Sequence, residues 1–239
     1  MTGGSGSEPK DVLDTLRVGR ELRVAFKVLA ELGPELLQRA YVDPLSGLLN
    51  SAALDDVLAT GEVEEAQFCV TCLDLTGFKQ INDRYGHVAG DAALKLVGTT
   101  LLEIAKVDGV VPFRVGGDEF LILTRPNKFP KLRRWLRTLS WPRFQFQRRP
   151  APFGASKGAA LPKPDLFFKE IKDRADMACR ASKMKDDQLV VWSASLRVPE
   201  VTERRFRCSA CRAAVRVDVP SGGTRPQKLS CPCCRQYLK

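Results

Sequence analysis

Two adjacent carboxylates, Asp118 and Glu119, directly follow a pair of glycines, Gly116 and Gly117, inside the largely apolar stretch from Val110 to Thr124. The glycines permit the positive φ angles of a tight hairpin, and they let a phosphate approach the backbone without a side chain in the way. Neighbouring carboxylates repel each other unless a cation lies beside them, and hard oxygen ligands favour magnesium. The segment therefore predicts a metal-binding hairpin, with an ordinary surface turn as the alternative.

A second candidate ligand, Asp74, lies at the carboxyl end of a predicted buried strand from Gln67 to Leu75. Such a strand can deliver a carboxylate into a pocket, although a strand-end aspartate is often only a cap or turn former. Cys69 and Cys72 lie three positions apart on the same strand. We therefore expect them to point to opposite faces and to belong to the core rather than to a metal site.

Strands and helices alternate around these carboxylates. Apolar periodicity predicts helices from Asp91 to Val107 and from Leu166 to Lys185, and short strands on both sides of the two glycines. A flexible start at residues 1–10 precedes a lead-in helix at residues 11–40. The apolar pattern of that helix is too short to show sustained heptads. It therefore leaves two alternatives open: the helix packs on its own domain, or it forms a coiled-coil dimer seam.

The composition predicts one main domain with a small appendage, since 239 residues with 44% hydrophobic content hardly bury two full cores. No apolar run approaches the roughly 20 residues of a membrane span, and the amino terminus has no signal-peptide pattern. We therefore expect a cytoplasmic protein. The formal net charge of +10 suits an anionic partner, and Lys131 to Arg174 holds twelve basic and three acidic residues. Charge alone does not choose between nucleotides, nucleic acid and an acidic protein.

Five of the eight cysteines lie in the last 32 residues, and four of them form two C-x-x-C pairs. In a reducing compartment this clustering favours a metal over disulfides, and the spacing is that of a zinc ribbon. We predict a ribbon at residues 203–239, with a turn at Pro220 to Gly223 between two short strands. Cys233 is a spare thiol or a competitor of the last ligand. The predicted ligands of a structural Zn²⁺ are Cys208, Cys211, Cys231 and Cys234.

Several blocks occur in an order that resembles the GGDEF family of diguanylate cyclases, over roughly Tyr41 to Trp192. The opening block is Asp43 to Asn50, the next is Asp74 to Asp83, and Gly86-His87, Gly90-Asp91, Arg114 to Phe120, Ser156 to Gly158, Ala175-Asp176 and Lys183 follow. The resemblance implies a GGDEF domain at residues 41–198 with a palm-like α/β (α+β) fold. A central, largely antiparallel sheet is then flanked by helices.

The resemblance also implies a reaction, in which two GTP molecules held by a homodimer condense to cyclic di-GMP and two pyrophosphates. Asp74, Asp118 and the Leu75 carbonyl then bind Mg²⁺ or Mn²⁺, and Glu119 activates or positions the nucleophile. Asp118, Glu119 and Lys79 are accordingly the predicted catalytic residues.

The GTP-binding residues that the resemblance implies are Asn82 and Asp91 at the guanine edge, Lys183 at the phosphates, and Gly116 and Gly117 in the signature turn. Asp91 also lies where we predict a helix N-cap.

Three positions depart from the family pattern: Thr76 in place of a second aspartate, Ser51 in place of an arginine, and Asp187 near the place of an arginine. Lys106 to Val110 contains no Arg-x-x-Asp, the family's product-binding inhibitory motif. An active cyclase is the favoured interpretation. The alternatives are a degenerate module that binds nucleotide or a partner, and a zinc-ribbon adaptor for nucleic acid or protein with a regulatory GGDEF domain.

Overall fold

The structure is a computed structural model, and it describes residues 34–59, 68–107, 109–183, 185, 188–196, 201–210, 212 and 214–220. The predicted flexible start and most of the lead-in helix lie outside these residues. The described helices and strands are, in chain order, α1 (Pro34–Tyr41), α2 (Ser51–Ala59), β1 (Cys69–Thr76), α3 (Phe78–Tyr85), α4 (His87–Ala105), β2 (Val110–Arg114), β3 (Glu119–Thr124), α5 (Phe129–Leu136), β4 (Gln145–Phe146), β5 (Arg149–Pro150), β6 (Gly154–Ala160), α6 (Phe168–Lys183), β7 (Val190–Val191), β8 (Val201–Arg207) and β9 (Ala214–Pro220).

A five-stranded sheet in the order β2-β3-β1-β6-β7 forms the centre of the domain. The β2–β3, β3–β1 and β1–β6 pairs are antiparallel, and only β6–β7 is parallel. The expected largely antiparallel sheet with helices on its faces is confirmed. Within the described residues, no helix is both long and apolar enough to span a bilayer.

Strand β1 is buried on both faces because apolar side chains alternate onto two different clusters. Cys69 and Leu73 pack with α4 and α5 on one face, whereas Val70 and Cys72 pack with α2 and α6 on the other. The prediction that the two cysteines point to opposite faces of the core is confirmed. Burial raises the pKa of the Cys69 thiol to about 12, which keeps this thiol protonated at neutral pH.

Two glycines let helices approach the rest of the domain very closely. A Cβ on Gly98 of α4 would lie 1.9 Å from the Ser46 carbonyl oxygen, and a Cβ on Gly158 of β6 would lie 1.9 Å from the Cys179 backbone nitrogen of α6. Real Cβ atoms never come this near to backbone atoms. Helix α4 therefore contacts the backbone at Ser46, and α6 contacts the backbone of β6, with no side chain between them.

Helix α4 begins at His87, four residues before the predicted start, and Gly86 is its N-cap. The prediction that Asp91 caps this helix is therefore wrong, because Asp91 lies one turn inside it. Gly90-Asp91 looked like a helix start because glycine is a poor helix former. Tight packing explains this glycine, since a Cβ on Gly90 would lie 2.0 Å from Asn82 Oδ1.

The strands β8 and β9 pair antiparallel beyond the central sheet. The turn between them includes Cys208, whereas Pro220 is the last residue of β9. The predicted turn at Pro220 to Gly223 therefore starts at the last residue of β9 and otherwise lies outside the described residues, so it stays a prediction. Cys211, Cys231 and Cys234 lie outside the described residues.

Candidate functional site

The carboxyl end of β1 meets the hairpin between β2 and β3 at one end of the sheet. In the β1–β3 register Asp74 is opposite Glu119, and the Leu75 N–H donates to the Asp118 carbonyl over 3.1 Å. The fold thus brings together the Asp74, Leu75, Asp118 and Glu119 positions singled out in the sequence. On the other side of β1, Asp74 is opposite Ser156 of β6.

The signature hairpin is closed by the Val115 and Gly116 N–H groups, which both donate to the Glu119 carbonyl over 3.0 and 3.3 Å. The prediction that these glycines adopt positive φ angles is wrong, because neither Gly116 nor Gly117 is among the residues with positive φ. Limited space explains Gly116 better, but it does not explain Gly117. A Cβ on Gly116 would lie 3.0 Å from Glu119 Oε2, whereas a Cβ on Gly117 would meet nothing within 4 Å. Gly117 thus leaves an open approach to the backbone of the turn.

Arg114 fastens this hairpin to the opening block of the domain. Its Nη1 donates to both carboxylate oxygens of Asp43 over 2.8 Å, while its Nε and Nη2 donate to the Gly117 carbonyl over 3.2 and 2.7 Å. Burial alone would raise the pKa of the Asp43 carboxyl, but the hydrogen bonds from Arg114 and Ser46 outweigh it and lower this pKa. Sequence reasoning assigned no role to either residue, because their separation of 71 positions gives no local signal.

Lys183, at the last turn of α6, places its Nζ 3.1 Å from Asp74 Oδ1. The two side chains are 35% and 27% exposed, so a ligand could still reach them. Lys79 lies in the first turn of α3 and is exposed. The structure therefore brings Lys183 to Asp74, whereas the described contacts include no pairing of Lys79 with a carboxylate.

The two predicted guanine contacts come from neighbouring helices. Asn82 of α3 is half-buried and lies against Gly90 of α4, whose missing side chain makes room for it. Asp91 follows Gly90 and is also half-buried. The Asn82 amide can both donate and accept hydrogen bonds, and the Asp91 carboxylate can accept them. Together they have the chemistry that a predicted guanine contact needs.

Thr76, at the position that departs from the family pattern, lies near a hydroxyl of β6. Its Oγ1 is 3.3 Å from Ser156 Oγ, so one of the two donates to the other. A hydroxyl pair therefore occupies the place of a second carboxylate. Of the other departures, Ser51 is the exposed first residue of α2, and Asp187 lies outside the described residues.

The donor set at this end of the sheet fits a hard divalent cation. Among the described residues, no three His, Cys, Asp or Glu side chains group closely enough to hold a metal by themselves. Magnesium does not require such a cage, because it commonly binds one or two carboxylates together with substrate phosphates and waters. Asp74, Asp118 and the Leu75 carbonyl are the oxygen groups at this end of the sheet that could hold an ion in this way.

Of the four cysteines in the two C-x-x-C pairs, the structure describes only Cys208. Cys208 is 1% exposed although Ser209, Ala210 and Arg212 around it are exposed, and the Arg212 N–H donates to the Cys208 carbonyl over 2.9 Å. Among residues 207–210 and 212, Cys208 is thus the only buried side chain.

Comparison with known proteins places the chain in a family. The model of the family described as "Diguanylate cyclase, GGDEF domain" matches residues 40–188. The chain is 32% identical to diguanylate cyclase DgcP of Pseudomonas aeruginosa over 64% of this chain and 24% of that protein. It is 31% identical to diguanylate cyclase VdcA of Vibrio cholerae over 54% of this chain and 38% of that protein. The chain thus matches well under half the length of these curated relatives.

A solved structure of the coiled coil and GGDEF domain of DgcB from Caulobacter crescentus, in complex with c-di-GMP, shares the fold. Its TM-score is 0.57 at 25% identity, over 72% of this chain and 95% of that chain. The sheet, the signature hairpin and these matches define a palm-like α/β domain of the GGDEF type. The chain belongs to the GGDEF family.

Proposed function

We propose that the protein is a diguanylate cyclase, which condenses two GTP molecules into cyclic di-GMP and releases two pyrophosphates. The observation that carries this proposal is the convergence of Asp74, the Asp118–Glu119 turn and the Lys183 ammonium at one end of the sheet. Relatives named as diguanylate cyclases support it. Each nucleotide supplies both a nucleophile and an electrophile, so the reaction needs two subunits that face each other as a homodimer.

The metal site would use the carboxylates of Asp74 and Asp118 and the carbonyl of Leu75. When bound, Mg²⁺ or Mn²⁺ gathers the triphosphate and offsets negative charge on the attacking and leaving oxygens. Glu119, beside Asp74 in the register, accepts the proton of the ribose 3′-hydroxyl or orients that hydroxyl toward the α-phosphate of the other nucleotide.

The remaining residues hold the nucleotide. Lys183 and Lys79 neutralise phosphate charge, and the open space at Gly117 lets phosphate oxygens reach the turn. Asn82 and Asp91 bind the guanine edge, where a carboxylate that accepts from the ring and exocyclic N–H groups favours guanine over adenine. These groups position the substrate, and little covalent work is left to the protein.

The direct test is incubation with GTP and Mg²⁺, followed by chromatographic detection of cyclic di-GMP. We expect Asp118→Ala to reduce synthesis by at least about 100-fold, because it removes a metal ligand whose charge stabilisation amounts to several kcal/mol. Stability should not fall, since the change also relieves carboxylate repulsion at the turn. The matched control is Asp165→Ala, which removes an exposed aspartate outside the site. Synthesis that is equal in the two variants would contradict the mechanism.

We also propose a structural zinc ion held by Cys208, Cys211, Cys231 and Cys234. The buried Cys208 thiol in its exposed turn supports this proposal. The segment is too short to bury a core of its own, so its folding should depend on the metal. A basic zinc ribbon of this kind could recruit a nucleic-acid or protein partner.

Elemental analysis should find one zinc per chain, and Cys208→Ser with Cys211→Ser should release it. A chain shortened to end near Glu200 should keep its GTP turnover, because the family match ends at residue 188. Full zinc retention in the double variant would contradict the ligand set. Lost turnover in a folded shortened chain would instead make the ribbon part of the catalytic assembly.

A further inference from the structure

A strongly basic surface lies outside the proposed nucleotide site. Residues 120–164 contain eleven lysines and arginines and no aspartate or glutamate. We use the name arginine face for the exposed basic residues of α5, its C-cap and the β4–β5 hairpin: Lys131, Arg133, Arg134, Arg137, Arg148 and Arg149.

Helix α5 turns its basic side to solvent. Phe129, Leu132 and Leu136 are buried in the cluster that also contains α4, so the intervening residues face outward. Basic residues at the last turn also suit the helix dipole, which explains part of this pattern. The dipole does not explain the arginines of the hairpin.

The hairpin presents its arginines at a strained turn. Gln147 and Arg148 both have positive φ, at 48° and 61°, a pair of angles that two-residue hairpins normally reach with Asn-Gly. L-residues with a long side chain disfavour this region. An arginine kept there, where a glycine would be easier, is a reason to look for a function of its side chain.

The strained turn has a firm base. The Ala151 N–H donates to the Phe144 carbonyl over 2.9 Å, the Phe144 ring packs edge-on against Phe153, and the Tyr85 hydroxyl donates to the Pro150 carbonyl over 2.9 Å. Phe144 and Phe146 pack on the same cluster as α5. The hairpin and the helix therefore pack on the same core cluster, and these contacts anchor the backbone of the hairpin.

The positive charge of the arginine face is not offset locally. Ion pairs within the described part of the chain involve other side chains, and none of the six residues pairs with a carboxylate there. Five of the six are arginines, whose planar guanidinium suits bidentate phosphate contacts. The large exposed apolar residues of the described chain, Val88, Leu161, Phe167 and Met177, are not members of this face.

We propose that the arginine face binds single-stranded nucleic acid, with its guanidinium groups on successive phosphates. The aromatic residues Trp135, Phe144 and Phe146 lie among the arginines; they pack partly against the core and remain partly exposed, and the exposed part of such a ring can contact an unpaired base. This combination of a basic track with interleaved rings fits a single strand better than a duplex or an acidic protein. The activity lies apart from GTP turnover, so either can fail without the other.

The test measures binding of the full chain to fluorescein-labelled single strands of about 20 nucleotides by fluorescence anisotropy over a range of salt. One set of measurements uses RNA and the other uses DNA of the same base order, so that the affinities for the two kinds of single strand can be compared. We expect binding that weakens with salt. The variant Arg134→Glu, Arg148→Glu, Arg149→Glu should lose at least about tenfold in affinity, and its salt slope should fall by about 2, since each phosphate contributes about 0.7.

The matched control reverses three exposed basic residues elsewhere, in Lys95→Glu, Lys169→Glu, Arg180→Glu. Both triple variants change the net charge equally, so the control should keep most of the affinity. Equal losses in the two variants would reduce the effect to overall charge and overturn the proposal. Unchanged binding after reversal of the arginine face would overturn it too, as would tighter binding to duplexes or to phosphatidylserine vesicles.

A single substitution separates binding from folding. Arg148→Gly relieves the positive φ at the hairpin tip, so we expect no loss of thermal stability together with weaker binding. Wild-type affinity in this variant would show that the strained arginine does not serve nucleic acid, and would refute its part in the proposal.

Discussion

The attachment of the signature hairpin to the opening block rests on Arg114, and Arg114→Ala measures its strength. The Arg114 and Asp43 side chains are only 11% and 18% exposed, and two bonds of 2.8 Å join them. A hydrogen bond to a charged group stabilises the folded state by about 1.5–3 kcal/mol. Removing one partner of a fully buried ion pair destabilises it by about 3–5 kcal/mol, because the other charge stays buried without a partner. Because this pair is not fully buried, we expect a loss of about 2–3 kcal/mol in the free energy of unfolding.

The control is Lys106→Ala, which breaks the Lys106–Glu103 pair at a similar distance of 2.8 Å. Those side chains are 68% and 63% exposed, so the loss should stay below about 1 kcal/mol. Urea unfolding of both variants gives the comparison, and adding Asp43→Ala to Arg114→Ala isolates the pair energy. If Arg114→Ala costs no more than Lys106→Ala, the argument from burial is refuted.

The same pair predicts a dependence on acid. The pKa of Asp43 is lowered in the folded protein from its ordinary 3.8, so the unfolded chain takes up this proton first as the pH falls. The stabilisation is complete above the unfolded pKa and is lost as the pH falls through the folded one. In Arg114→Ala the acid loss of stability should therefore be shallower below about pH 5. An unchanged slope would contradict this explanation.

Three further predictions follow from particular residues. Gly98→Ala should cost about 2–3 kcal/mol in urea unfolding, because its Cβ would overlap the Ser46 carbonyl, whereas Gly117→Ala should leave stability within about 0.5 kcal/mol and raise the KM for GTP. Equal stability losses would contradict the packing argument. Added cyclic di-GMP should inhibit only in competition with GTP, since Lys106 to Val110 lacks Arg-x-x-Asp, and non-competitive inhibition would reveal another site. Cys69 should resist iodoacetamide at pH 8 in the folded protein, because its pKa is about 12, and rapid alkylation seen by mass spectrometry would contradict its burial.

Much of the sheet was predictable because its strands carry strong local signals. The apolar run that ends in Asp74 became β1, and the glycine pair separated β2 from β3 as expected. Once these strands pair, the Asp74 and Glu119 positions must be neighbours. The sequence therefore showed each carboxylate at the end of a strand, whereas their proximity depends on the pairing of β1 with β3.

Other features depend on packing that a single sequence does not reveal. Gly90 looked like a helix boundary, yet it lies inside α4 because Asn82 fills the space beside it. Gly116 was expected to supply an unusual φ angle, and instead it makes room for Glu119. The Arg114–Asp43 pair joins distant blocks, so only the folded chain shows that the opening block supports the hairpin.

The contact of α6 with Gly158 limits how far Lys183, the proposed phosphate-binding residue, can move relative to the sheet. Because the Cys179 backbone rests directly on β6, no flexible side chain lies between helix and strand to absorb a displacement. Lys183 follows one turn later on the same helix, with its Nζ 3.1 Å from Asp74. A slide by a single residue moves a helix about 1.5 Å along its axis, and a shift of that size directed along the line between the two atoms would carry this pair past the usual ion-pair distance of about 4 Å. The seat of α6 on β6 thus restricts where the Lys183 ammonium can lie relative to Asp74, the proposed metal ligand.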